Sequence, residues 1–217
     1  MASSIEKIPR FIAVEGPIGV GKTSLTRRLA AHLGAELLLE GAADNPFLPQ
    51  YYGDRSRYAL ATQLHFLCQR TRQLQPWSQT DLFVPAVIAD FIFDKDRLFA
   101  QIALDDQEFA LYDEIFKRFA PQVPIPDLVI YLAAPVDVLL RRIETRGIGY
   151  ERAIDAAYLE RLIHEYARFF QHYQAAPVLM VDAARLDLLS HTAHFGALVA
   201  TIHAGIRGKQ ALDILDA

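Results

Sequence analysis

Eight consecutive residues, Gly16-Pro17-Ile18-Gly19-Val20-Gly21-Lys22-Thr23, match the pattern G-x-x-x-x-G-K-[ST] at every defining position. Their flanks fit as well: the apolar run Phe11 to Val14 precedes them, and a helical pattern extends from about Lys22 to Leu33. A strand that turns through glycines straight into a helix can cradle phosphates. Glycines let backbone N–H groups face phosphate oxygens with no Cβ in the way. The helix that starts there aims its positive end at the same charges. Lys22 can set an ammonium at the β- and γ-phosphates, and Thr23 offers a hydroxyl to Mg²⁺. The competing account is a chance match in an ordinary glycine turn.

The rest of the chain keeps alternating short apolar runs with long 3.6-period segments. Strands are expected at Phe11 to Val14, Leu37 to Leu39, Val84 to Ala89, Leu128 to Leu132 and Val178 to Val181, with Pro85 confining the third to its later residues. Helices are expected at Arg55 to Leu74, Asp106 to Phe119, Val136 to Thr145 and Asp155 to Tyr173. The first of these carries Leu60, Leu64, Leu67 and Leu74 on one side and has Pro76 just past its end. The helix from Asp155 shows Leu159, Leu162, Tyr166, Phe169 and Tyr173 at helical spacing. Such alternation predicts a parallel sheet covered on both faces, with ligands beyond the carboxyl ends of the strands.

The 217 residues suit a single domain with a sizeable core. A chain 52% hydrophobic and 22% charged excludes disorder and a collagen-like fold. The net charge of −4 argues against a non-specific nucleic-acid binder, which needs basic excess to neutralise phosphates. The one cysteine, Cys68, can form neither an internal disulfide nor a thiolate cluster, which fits a reducing, cytoplasmic setting. Met1 to Pro9 is polar and does not read as a signal peptide. The longest uncharged stretch, Leu188 to Ile206, holds three histidines and places Leu188, Phe195, Val199, Ile202 and Ile206 on one stripe. It therefore reads as a surface helix rather than a membrane span.

Three further groups carry chemistry. Glu40 follows Leu37-Leu38-Leu39, and Asp90 follows Val87-Ile88-Ala89, so both carboxylates fall where parallel strands end. Two acids there suit phosphoryl transfer to a hydroxyl: one accepts its proton, the other holds Mg²⁺ directly or through water. Each could instead be a helix N-cap or a solvated loop acid. Gln63, Phe66 and Arg70 share one helix face, with Gln63 and Arg70 roughly 10 Å apart. A carboxamide can pair with a nucleobase edge, a phenyl ring can stack on it, and a guanidinium can reach its exocyclic oxygen. The alternative is a solvent-facing polar stripe. Arg141, Arg142 and Arg146 close the Val136 helix ahead of Gly147-Ile148-Gly149. Arg142 and Arg146 can face one phosphate chain as an i, i+4 pair on a mobile lid, or can simply complement the helix dipole.

The segments Gly16 to Ser24, Leu39-Glu40, Asn45 to Leu48, Tyr51-Tyr52, Gln63 to Arg70, Asp90 to Ala100 and Arg142 to Glu151 occur in this order. Together they resemble the deoxynucleoside kinase family, especially its bacterial deoxyadenosine/deoxyguanosine kinase branch, from about Phe11 to Asp182. The resemblance implies a three-layer P-loop NTPase fold: one domain with a five-stranded parallel sheet flanked by helices and an arginine-bearing lid at about 142–152. It implies ATP- and Mg²⁺-dependent 5′-phosphorylation of a deoxynucleoside, a purine deoxynucleoside by preference. On this likeness Gly16, Pro17, Ile18, Gly19, Val20, Gly21, Lys22, Thr23 and Ser24 hold ATP, and the loop at Asp182 and Ala183 lies beside its adenine. Glu40 matches the acid at the 5′-hydroxyl. Tyr52 and Glu151 match the pair at the 3′-hydroxyl, Gln63 the base-reading glutamine, Arg70 and Asp96 a polar pair deeper in the base pocket, and Arg142 and Arg146 the lid arginines. The helices Arg55–Leu74 and Asp106–Phe119 match those that pair in the family's homodimers.

Two departures stand out. Glu40-Gly41-Ala42 replaces the family's frequent Glu-Pro-Val, and Asp90-Phe91-Ile92 replaces its common Glu-Arg-Ser. The arginine that normally helps hold the 5′-hydroxyl and phosphates is thus Phe91, which leaves the lid arginines or Arg152 to supply its charge. Two other functions stay open at this point: a thymidylate-type nucleoside monophosphate kinase, and a nucleotide-binding regulator without catalysis.

Overall fold

The computed structural model of the chain describes residues 9–78 and 86–213. Its centre is a parallel sheet. Strands β1 (Phe11–Glu15), β3 (Val87–Ala89) and β4 (Leu128–Ala133) form the middle, with β2 (Glu36–Leu38) outside β3 and β5 (Val178–Asp182) outside β4. Every residue of β1 and β3 is buried. Successive strand residues point to opposite faces, so both faces of this part of the sheet are covered. That explains why these strands read as unbroken apolar runs.

A sixth strand, β6 (Lys209–Ala211), joins β5, giving the order β2-β3-β1-β4-β5-β6 with every pairing parallel. The expected sheet of five strands is therefore one short. All three residues of β6 are exposed, so the strand has no apolar pattern to betray it. It exists through backbone pairing to the free edge of β5, and Lys209 and Gln210 make a poor template for any further strand. The opposite edge, β2, is also only three residues long.

Five helices lie where the periodicity puts them, within a residue or two: α1 (Lys22–Leu33), α3 (Arg55–Leu74), α5 (Asp106–Phe119), α6 (Val136–Arg146) and α7 (Ala156–His172); the last, α8 (Thr192–Ala204), is shorter than its stripe, and the shorter α2 (Leu48–Gly53) and α4 (Lys95–Ala103) join them. Caps set several boundaries. Asp155 accepts from Tyr158 N at 2.7 Å to open α7, and Asp105 with Glu108 forms a capping box for α5. Gly34 ends α1 at φ 63°, in the left-handed region that glycine adopts without strain. The chain beyond Leu74 tightens into a 3₁₀ turn, Gln75–Ser78, around Pro76. The third strand begins at Val87; Val84 and Pro85 of the expected run lie outside the described residues, as do Met1 to Ile8. The stripe at Leu188–Ile206 is helical only from Thr192 to Ala204, yet Leu188 and Ile206 still pack on the core from the flanking turns. Among the described residues, no helix is long and apolar enough to cross a membrane.

The chain after β1 runs to one edge of the sheet through β2, returns to β3, then crosses β1 to reach β4 and β5 on the other side. A reversal of this kind opens a crevice beyond the carboxyl ends of the strands. Glu15, Glu40, Asp90 and Asp182 all lie at those ends.

Candidate active site

The turn between β1 and α1 has the geometry of an anion cradle. Gly16, Gly19 and Gly21 all take positive φ, at 150°, 82° and 105°. At Gly16 a Cβ would also run into the carbonyl oxygen of Leu132 on β4. Val20 is buried, Pro17 and Ile18 complete the segment between the strand and the helix, and Ser24 lies in the first turn of α1. Lys22 Nζ donates to the carbonyls of Gly16 and Pro17 at 2.7 and 3.2 Å. Burial, and secondarily Lys95 nearby, lowers the Lys22 amine to about 8.

Asp90 joins this turn to the next strand end. One carboxylate oxygen accepts from Thr23 Oγ1 at 2.5 Å and the other from Glu40 N at 2.6 Å. Burial pushes its carboxyl above the usual range, and the Thr23 hydroxyl opposes that rise. Both acids expected at strand ends are therefore beside the phosphate turn, and neither caps a helix. Thr23 and Asp90 present a hydroxyl and a carboxylate side by side, hard oxygen ligands of the kind Mg²⁺ takes.

The polar face of α3 points inward. Gln63, Phe66 and Arg70 are buried, which removes the reading of a solvated stripe. Arg70 lies at the centre of an ionic chain, pairing with Glu40 on one side and with the fully buried Asp96 on the other. Its guanidinium also stacks 4.8 Å from the Phe66 ring centroid. Together with Lys22, Glu40, Tyr52 and Glu151, these residues of α3 line a cavity of about 120 Å³. Asp96 stands behind Arg70 rather than in that wall. Tyr52 stacks on Tyr150 at 5.6 Å, and its hydroxyl is held well above its ordinary pKa by burial and, among smaller causes, by Glu151. Asn45, from the motif Asn45 to Leu48, plays a bracing part. Its amide donates to Thr62 O at 3.1 Å, tying the loop to α3.

The two lid arginines diverge. Arg142 donates to Val20 O at 3.0 Å and to Ala183 O at 2.8 Å, so it clamps the phosphate turn to the loop after β5. Arg146 instead pairs with Glu151 at 2.6 Å. The Asp182–Ala183 turn is fixed by Asp182 accepting from Ala184 N at 2.9 Å. Arg152 is exposed and Phe91 is fully buried in the core.

Two buried charged residues of the site escaped the sequence reading. Glu15, the last residue of β1, accepts from Gly16 N, Ile92 N and the Tyr166 hydroxyl at 2.8, 3.0 and 2.9 Å. Lys95, the first residue of α4, reaches Glu40 at 3.0 Å and Glu15 at 3.7 Å. Both left a trace in the sequence. A glutamate closing an apolar strand has to find partners, and a lysine in the first turn of a helix opposes the helix dipole.

The family model for deoxynucleoside kinases matches residues 12–207. The deoxyguanosine kinase of Bacillus subtilis is 34% identical over 199 residues, spanning 88% of this chain and 95% of that protein. The deoxyadenosine kinase of Lactobacillus acidophilus is 33% identical, spanning 84% of this chain and 89% of that protein. Among solved structures, deoxyadenosine kinase from M. mycoides with bound dATP superimposes with a TM-score of 0.76 at 25% identity, covering 88% of this chain and all of that one.

Proposed function

Because the chain belongs to the deoxynucleoside kinase family, we propose that it transfers the γ-phosphoryl group of ATP to the 5′-hydroxyl of a deoxynucleoside, purine deoxynucleosides preferred. One observation carries the reading: the Asp90 carboxylate reaches Thr23 of the phosphate turn at 2.5 Å and the Glu40 amide at 2.6 Å. The acid that would take the hydroxyl proton is thus one side chain away from the phosphates.

In this reading the base enters between Gln63, Phe66 and Arg70, and the sugar lies against Tyr52 and Glu151, all walls of one cavity. Lys22 and the amides of Gly16 to Ser24 grip the triphosphate, with Arg142, Arg146 and the Asp182–Ala183 turn on its far side. Glu40 accepts the proton of the 5′-hydroxyl. The O5′–Pγ bond forms as the bond from Pγ to the β,γ-bridging oxygen breaks, and ADP leaves with that electron pair. Thr23 and Asp90 would hold Mg²⁺, which when bound neutralises charge on the β- and γ-oxygens.

Purine preference draws support from the deoxyguanosine and deoxyadenosine kinases among the relatives. Homodimer formation through α3 and α5 draws support from Leu111, half-exposed on α5. A cytoplasmic place of action draws support from the single cysteine, which fits a reducing compartment.

The test is a panel of the four deoxynucleosides with ATP and Mg²⁺, scored as monophosphate. Deoxyadenosine or deoxyguanosine should give the highest kcat/KM. Glu40→Gln should cut kcat by about 10²- to 10⁴-fold with ATP affinity unchanged. dTMP outperforming thymidine would make it a monophosphate kinase, and ATP binding with no acceptor at all would make it a regulator.

A further inference from the structure

The wall between the phosphate turn and Glu40 holds an amine that the reading above leaves without a task. Lys95 is buried at 3% exposure and lines the same cavity as Glu40 and Lys22. It is the first residue of α4, where the backbone N–H groups already present positive charge. It is held there by carboxylates from two other strand ends, Glu40 at 3.0 Å and Glu15 at 3.7 Å. Glu15 is itself fixed by three hydrogen bonds, so the Lys95 ammonium is aimed rather than merely tolerated.

Lys22 and Lys95 both line the cavity. Burial is the chief cause lowering the Lys95 amine to about 8. Two buried ammonium groups that repel each other are costly to maintain, and an anion placed between them relieves the cost. The proposed reaction brings such an anion to this wall: the γ-phosphoryl group, passing from the ATP gripped by Lys22 to the 5′-hydroxyl at Glu40.

Resting on that phosphotransfer reading, we propose that Lys95 is a catalytic cation of this site, holding the Glu40 carboxylate toward the 5′-hydroxyl and neutralising charge on the transferring phosphoryl group. Lys95 keeps its proton throughout; the hydroxyl proton goes to Glu40 and the bond changes are those given above. The buried Phe91 is absent from the cavity lining, and Arg70 is engaged by Asp96 on its other side; Lys95 touches Glu40 and lines the cavity together with Lys22 of the phosphate turn.

The charge on Lys95 depends on the groups packed around it: Glu15 on β1, Lys22 on α1, Glu40 after β2, Arg70 on α3, Asp90 after β3 and the Tyr166 hydroxyl on α7. The balance leaves the amine titrating near 8, whereas a guanidinium stays charged well above that. The experiment compares wild type, Lys95→Met and Lys95→Arg in the monophosphate assay across pH 7–10 at saturating ATP, with circular dichroism on each variant. Lys95→Met should lose about 10²- to 10³-fold in kcat. Lys95→Arg should keep activity within about tenfold and shift the alkaline fall in kcat/KM to higher pH. Wild-type turnover with Lys95→Met within about threefold of it, or an alkaline limb unmoved in Lys95→Arg, overturns the Lys95 assignment and leaves the kinase reading standing. If Lys95→Met fails to fold, the limb in Lys95→Arg decides. No product from the wild type with any deoxynucleoside overturns both.

Discussion

Single residues decide how closely the site's parts approach one another. Gly16 is the sharpest case, because a side chain there meets both an unfavourable φ and the Leu132 carbonyl of the neighbouring strand. Gly34 shares only the first problem, since space around it is open. Gly16→Ala should therefore cost more than Gly34→Ala in urea unfolding, about 1–3 kcal/mol against about 1 kcal/mol. Only Gly16→Ala should also weaken ATP binding; equal losses of ATP affinity would show that the cradle does not hold the nucleotide. Glycine, lysine and threonine of the turn were legible from the chain because local backbone chemistry demands them. Glu15 was not, because its partners Tyr166 and Ile92 are brought to it by other elements.

At the scale of elements, α3 carries the contrast between pattern and packing. Its periodicity announced a helix, but a stripe of glutamine and arginine reads equally well as wet or dry. Packing made it dry, and with it came a buried ionic chain from Glu40 through Arg70 to Asp96. Removing one member of such a chain strands the others. Arg70→Met should destabilise the protein by about 3–5 kcal/mol, and pairing it with Asp96→Leu should recover much of that loss. Urea denaturation of the two single variants and the double variant measures the coupling; additive losses would mean that Arg70 and Asp96 do not depend on each other. The loop helices α2 and α4 were absent from the sequence reading for a simpler reason. Six and nine residues offer too few turns for a period to show.

The whole molecule responds to pH through buried groups that no single element supplies. Eight of the nine tyrosines have hydroxyls raised above their ordinary 10.0, in each case chiefly by burial. A tyrosine whose folded pKa is raised adds stability that is complete below its unfolded value and is lost as pH climbs through the folded one. Lys22 and Lys95, lowered from 10.5 to about 8, act with the opposite sign. Between those values the unfolded chain binds more protons, so their share of stability rises with pH. The urea midpoint should hold or rise from pH 8 to about 10 and then fall toward 12, where Tyr131 ionises in the fold. Tyrosinate absorbance should appear together with unfolding; tyrosines titrating from pH 10 with circular dichroism intact would contradict the burial behind this expectation.

The sequence alone determined the phosphate turn, the parallel α/β class, the main helices and the strand-end position of Glu40 and Asp90. Each follows from local backbone chemistry or from a period that one segment contains. Tertiary structure alone decided that the α3 stripe faces inward, that Arg142 clamps backbone while Arg146 pairs with Glu151, that an exposed polar segment becomes β6, and that Lys95 meets Glu40. Those outcomes depend on where elements distant in the chain come to rest, and no local pattern encodes the electrostatic company a side chain will keep once it is buried.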